Sequence, residues 1–87
     1  IMRAADDGKV KIMRNILTPG SSIGMHTHEG NCEVMYIIKG EITFVCDGKE
    51  ETARAGEVHY CPCGHTHCAE NRTAEDAEFF AIVPEMK

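Results

Sequence analysis

Apolar residues along this chain fall into short runs rich in β-branched and aromatic side chains, at residues 10–17, 32–39, 41–46, 57–61 and 78–83. Glycine or proline breaks the chain at Gly8, Pro19, Gly20, Gly24, Gly30, Gly40, Gly48, Gly56, Pro62, Gly64 and Pro84, so few windows can hold a helix of ordinary length. The pattern predicts strands. Asp47-Gly48 is a strong signal for a tight hairpin leading into a further strand at 49–53, and Lys39-Gly40 is expected to turn the chain between two apolar runs, giving a meander. Parity refines this. If Glu33 points inward, so do Met35 and Ile37, and the alternation Ile42, Phe44, Cys46 supplies a second inward row. Closely spaced short strands of this kind point to an all-β sandwich or barrel, with residues 1–87 forming one domain.

Composition narrows the class. With 87 residues, 43% of them hydrophobic and 26% charged, the chain is globular in character, and a domain this size buries only roughly 60% of its unfolded surface, so a metal or an oligomer interface would help it. A net charge of −5 gives no basis for wrapping nucleic acid or an anionic membrane. No stretch approaches the roughly 18 apolar residues that span a bilayer, and residues 1–10 lack the apolar centre of a signal peptide, which makes the cytoplasm the expected compartment. The five cysteines are odd in number and accompany no export signal, so they are expected to be reduced.

The histidines carry the chemistry. His26 and His28 stand two apart in an extended context, where alternate side chains share a face. Glu33 follows a Gly-containing segment that can turn the chain and send a carboxylate back, and His67 follows Pro62-Cys63-Gly64, a turn that can re-aim a strand at the same centre. Three imidazoles and one carboxylate suit a divalent transition ion, manganese, iron, nickel, zinc or copper, whereas calcium and magnesium favour oxygen-only sites.

These positions fall into two blocks. The first is Gly20, five residues, His26-Thr27-His28, four residues, Glu33, six residues, Gly40; the second is Gly56, five residues, Pro62-Cys63-Gly64, two residues, His67, three residues, Asn71. In both blocks the sequence resembles the cupin superfamily, and the resemblance runs over residues 20–71. It implies a small six- or eight-stranded jelly-roll β-barrel with one metal ion inside it on His26, His28, Glu33 and His67, and commonly a homodimer formed through an outer sheet face. Because little chain precedes Val10, the N-terminal strands that often complete such a dimer are expected to be missing.

Other residues are read more plainly. His59 and His65 are expected to be surface or locally satisfied histidines, Asn71 to brace a turn, and Glu50-Glu51 and Glu75-Asp76 to lie in solvated turns. Cys61, Cys63 and Cys68 crowd His65 and His67, but CPC spacing is cramped for a zinc knuckle, and unreactive buried thiols are the expectation; Cys46 or Cys68 could tune a pocket. A metal with one carboxylate keeps local positive charge, which predicts a small anionic or oxygen-rich ligand. Two functions fit: a metal-dependent isomerase, lyase or dioxygenase, with His59, Tyr60 and His65 the only candidate general acids or bases, or a metal- or metabolite-binding module without turnover.

Overall fold

The computed structural model describes residues 2–86, which form two antiparallel sheets packed face to face. In chain order the strands are β1 Met2–Asp6, β2 Val10–Leu17, β3 Ser22–Thr27, β4 Glu33–Lys39, β5 Glu41–Cys46, β6 Lys49–Arg54, β7 Val58–Cys61, β8 Thr66–Glu70 and β9 Ala77–Pro84. One sheet has the order β1-β2-β9-β4-β7 and the other β3-β8-β5-β6. This is an all-β jelly roll, as the resemblance implies, with nine strands among the described residues where six or eight were expected.

Inward parity is as expected at Met35, Ile37, Ile42 and Phe44, all buried, while Cys46 is half-buried at the end of its row. With Leu17, Ala53, Ala69, Ala77, Phe79 and Ala81 they fill the space between the sheets, and Met13 and Ile23 pack against them. The many alanines are a matter of volume: Phe44 and Phe79 need small partners if interdigitated layers are to reach native packing density.

Asp47 and Gly48 both take positive φ, 52° and 78°, and close the two-residue hairpin between β5 and β6. The other expected turn is different in kind. β4 and β5 lie in opposite sheets, so Lys39-Gly40 carries the chain across the barrel, and the expected meander reduces to a single hairpin. Gly40 makes that crossing possible: its φ is +81°, and a Cβ there would stand 2.7 Å from the Asp76 carbonyl oxygen. Two strands escaped the sequence pattern, β3 and β8, whose histidines, threonine and glycine interrupt the apolar alternation. A strand also precedes Val10, contrary to expectation, because β1 pairs along β2 from Met2 with Asn15 to Asp6 with Lys11.

Candidate metal centre

The donors come from three places in the fold. His26 lies on β3, His67 opposite it on β8, and Glu33 at the start of β4 in the other sheet; His28 sits just past β3. Simple alternation does not place His26. Ile23 faces the core opposite Ala69, and counting from it by twos would turn His26 outward. A bulge between Ile23 and His26 inserts one residue, shifts the register, and sets His26 opposite His67 on the inner face. His28 is held against the Pro62-Cys63-Gly64 turn: its N–H donates to the His65 carbonyl at 3.1 Å and its carbonyl accepts from Gly64 N–H at 2.6 Å.

The four side chains predicted from spacing converge. His26 is half-buried and His28, Glu33 and His67 are buried. Their facing atoms lie 3.2 Å apart for His26 Nε2 and His28 Nε2, 3.0 Å for His26 and His67, and 2.9 Å for His28 and His67. Glu33 Oε1 is 3.0 Å from His28 Nε2, 2.9 Å from His67 Nε2 and 3.8 Å from His26 Nε2.

Tautomers decide what those short distances mean. His26 Nδ1 donates to the Gly24 carbonyl at 2.7 Å, and His28 Nδ1 donates to Asn31 Oδ1 at 2.7 Å. His59 Nδ1 donates to the Glu51 carboxylate at 2.9 Å, which leaves His59 Nε2 to accept from His67 Nδ1–H at 3.0 Å. A neutral imidazole carries one proton, so all three Nε2 atoms present bare lone pairs to the centre, beside a carboxylate. No hydrogen bond can join them, and protonating them all would crowd like charges about 3 Å apart.

A cation resolves the arrangement. With metal–ligand distances near 2.1 Å, adjacent donors of an octahedron are about 3.0 Å apart and opposite ones about 4.2 Å, whereas all tetrahedral separations are about 3.4 Å. Five of the six donor separations here are 2.9–3.2 Å and one is 3.8 Å, the pattern of four octahedral positions with a single roughly opposed pair. Nitrogen-rich donors of this kind fit a first-row transition ion.

Of the two expected settings for His59, surface or locally satisfied, the structure shows the second. His59 is buried with 2% exposure, stacks on Phe44 with ring centroids 3.8 Å apart, and orients His67 from behind. Burial holds its pKa below the usual histidine value, against the opposing pull of Glu51, so the ring is neutral where the relay needs it. One expectation needs correction: Glu50 and Glu51 stand on β6 and not in a turn, and the Glu51 carboxylate, still open to solvent, ends the relay. The sequence carried no signal for the pair, because β6 and β7 belong to opposite sheets and the burial that makes His59 need an acceptor is set by the fold.

The remaining candidates are not part of the donor cluster. His65 is exposed and pairs with Asp47, Tyr60 projects outward, and Cys63 is exposed. Cys61 is buried, and burial together with the neighbouring Cys46 pushes its pKa up to about 12, so it is an unreactive thiol at neutral pH. Asn71 braces the 71–75 turn as expected, donating to the Leu17 and Glu75 carbonyls at 2.8 and 2.7 Å.

Two cavities flank the donors. One, of 370 Å³, opens past His28 and Glu33 to Asn31, Lys9 and Lys11, with Asp6 and Glu85 at its rim. The other, of 290 Å³, lies against His26 and Glu33 and is otherwise mainly apolar.

The sequence model of the cupin domain matches residues 13–83. An oxalate-binding protein of Thermotoga maritima is 43% identical over 67 residues, 77% of this chain and 55% of the relative, so the chain spans about half of that protein's length. The crystal structure of a predicted oxalate decarboxylase, also from Thermotoga maritima, superposes with a TM-score of 0.78 at 39% identity, covering 87% of this chain and 64% of that one. A Klebsiella pneumoniae protein with a double-stranded β-helix domain superposes with a TM-score of 0.90 over all of this chain and 77% of its own; at 21% identity it speaks for the fold alone.

Proposed function

The chain belongs to the cupin family, and from that premise we propose that it binds one divalent transition ion through His26, His28, Glu33 and His67 and uses it to hold a small chelating carboxylate of the oxalate type. The observation that carries this reading is the set of four unprotonated donors at octahedral spacing beside two cavities. Four donors on a six-coordinate ion leave two adjacent positions, the number that a bidentate acid fills. The ion, when bound, supplies Lewis-acid attraction for the ligand's oxygens.

The protein's own residues do the rest. Glu51 and His59 fix His67, Gly24 and Asn31 fix the other two rings, and Lys9 and Lys11 stand at the polar mouth through which an anion would enter. Neither lysine forms an ion pair among the described residues. The oxalate-binding name of a 43% identical relative supports the ligand class.

Binding is placed ahead of turnover for a structural reason. None of the three candidate acids and bases, His59, Tyr60 and His65, lines either cavity, and the apolar cavity holds no titratable side chain besides His26 and Glu33. We also assign the outer face of the five-stranded sheet to a homodimer. Ile12, Ile82, Val34 and Tyr60 align across four strands, with Phe80, Tyr36 and Val58 in the next row, where a solvated sheet face would carry polar residues.

The test begins with elemental analysis of purified protein, followed by calorimetric titration with oxalate before and after chelator treatment. One equivalent of a transition ion, lost in Glu33→Gln and His67→Ala, and oxalate binding that depends on it are expected. Undiminished metal in both variants, or oxalate heat that survives chelation, overturns the reading.

A further inference from the structure

The cavity beside His26 and Glu33 is built for something oxalate does not possess. It touches the two most widely separated donors, 3.8 Å apart, and neither His28 nor His67, so it lies on the side of the donor set away from those two imidazoles. Met13, Leu17, Ile23 and Met35 line it, and apart from the donors Asn15 is its one polar side chain. Its 290 Å³ is near the lower bound of small-molecule sites, about 300 Å³. The polar cavity on the other flank, with Lys9 and Lys11, offers charge instead.

We propose that this cavity selects chelating acids that carry a short aliphatic substituent, 2-oxo or 2-hydroxy monocarboxylates, with the carboxylate and the adjacent oxygen at the donor set and the chain among Met13, Leu17, Ile23 and Met35. The inference rests on the chelation reading above and adds the second half of the ligand. Its physical basis is the asymmetry of the surroundings. A dianion such as oxalate leaves those four side chains against water, whereas an aliphatic chain displaces that water and gains roughly four-fold in affinity for each methylene buried. Met13 sits in the wall between the two cavities and Ile23 lies just before the bulge that aims His26, so chain and chelating head are held by adjoining parts of the barrel.

The experiment is a homologous series, pyruvate, 2-oxobutanoate, 2-oxopentanoate and 2-oxohexanoate, titrated calorimetrically into protein loaded with manganese, with oxalate run in parallel. Affinity is expected to climb by roughly four-fold per methylene, about 60-fold over the series if every methylene is accommodated, and to level off once the chain outgrows the cavity. In Met13→Gln and Ile23→Thr, two changes of modest volume, the ratio of the longest to the shortest acid should collapse toward one. A flat or falling series with oxalate bound tightly overturns this inference and leaves chelation standing. If neither oxalate nor any 2-oxo acid binds the loaded protein, the chelation reading fails and this inference fails with it.

Discussion

Replacing His59 with phenylalanine isolates the relay behind the donors. His59 is buried, and its ring lies nearly parallel to Phe44 at 7°, so a phenyl ring can take its place in the stack. What disappears is the acceptor for His67 Nδ1–H, 3.0 Å away. His67 then has two options. It can keep its tautomer and bury an unpaired donor, at about 1–3 kcal/mol, or it can move the proton to Nε2 and aim it at the other donors, which abolishes ligation. The first option already corresponds to a ten- to hundred-fold loss of metal affinity, the range typical for removing such outer partners. Competition against a chromophoric chelator at neutral pH measures it, with circular dichroism to establish that the variant is folded. His59→Gln, whose amide oxygen can still accept, should recover part of the loss. A folded His59→Phe that binds metal within two-fold of the parent would show that His67 needs no such support, and the relay from Glu51 would carry no function.

Other consequences follow from the same geometry. Gly40→Ala should destabilise the protein by about 3 kcal/mol in urea unfolding, because the left-handed backbone disfavours a Cβ and the Asp76 carbonyl stands 2.7 Å from it; a change below 1 kcal/mol would contradict the crossing geometry. Phe80→Lys, in the middle of the apolar outer face, should convert a dimer to a monomer in sedimentation analysis, and a parent protein that is already monomeric would refute the assigned face. Acid should destabilise the metal-free protein. Burial lowers His59 below its usual 6.5, so below that value the unfolded chain binds more protons than the folded one. Stability is then present above pH 6.5 and is lost as the pH falls through that value toward the lower pKa of the folded state; thermal midpoints that rise on acidification would reverse the sign and reject the assignment.

What could be read from the sequence depended on how local each signal was. Period-two alternation located the inward residues of β4 and β5, and Asp47-Gly48 announced its hairpin, because both are decided within a few residues. The four donors were legible for another reason: two separated blocks of fixed spacing leave few folds that satisfy both. Topology was not local. Nothing in Lys39-Gly40 says that the next strand joins the opposite sheet, since that choice is made by β9 pairing with β4 and β8 with β5. The bulge before His26 was hidden as well, because Gly24 reads only as one more break in the apolar pattern until β8 fixes the register. Which of its two expected settings His59 takes was not legible either, because its acceptor is eight residues away on a strand of the opposite sheet, and a histidine taken alone gives no sign of whether such a partner exists.

The placement of the donors has a consequence for stability that can be stated in degrees. His26 and His67 belong to the four-stranded sheet and Glu33 to the five-stranded one, so a single ion held by all of them would join the two layers of a chain whose small size limits the surface it can bury. Unfolding disperses those donors along the chain, and the ion then stabilises the folded form by mass action, about 2.7 kcal/mol at a free concentration one hundred times Kd. For a chain of this length each kilocalorie raises the thermal midpoint by about 4–8 °C, giving an increase of roughly 10–20 °C that grows with the logarithm of metal concentration. Calorimetric melting across a metal series measures both the increase and its slope, and Glu33→Gln should flatten the slope because it removes the donor contributed by the second sheet. The five free cysteines are a competing sink, since an unfolded chain can bind transition ions through thiolates, as through its histidines, and reduce the shift. Manganese, which has little affinity for thiols, separates the cases. If the midpoint does not move with manganese bound one to one, the two sheets are not joined through these donors.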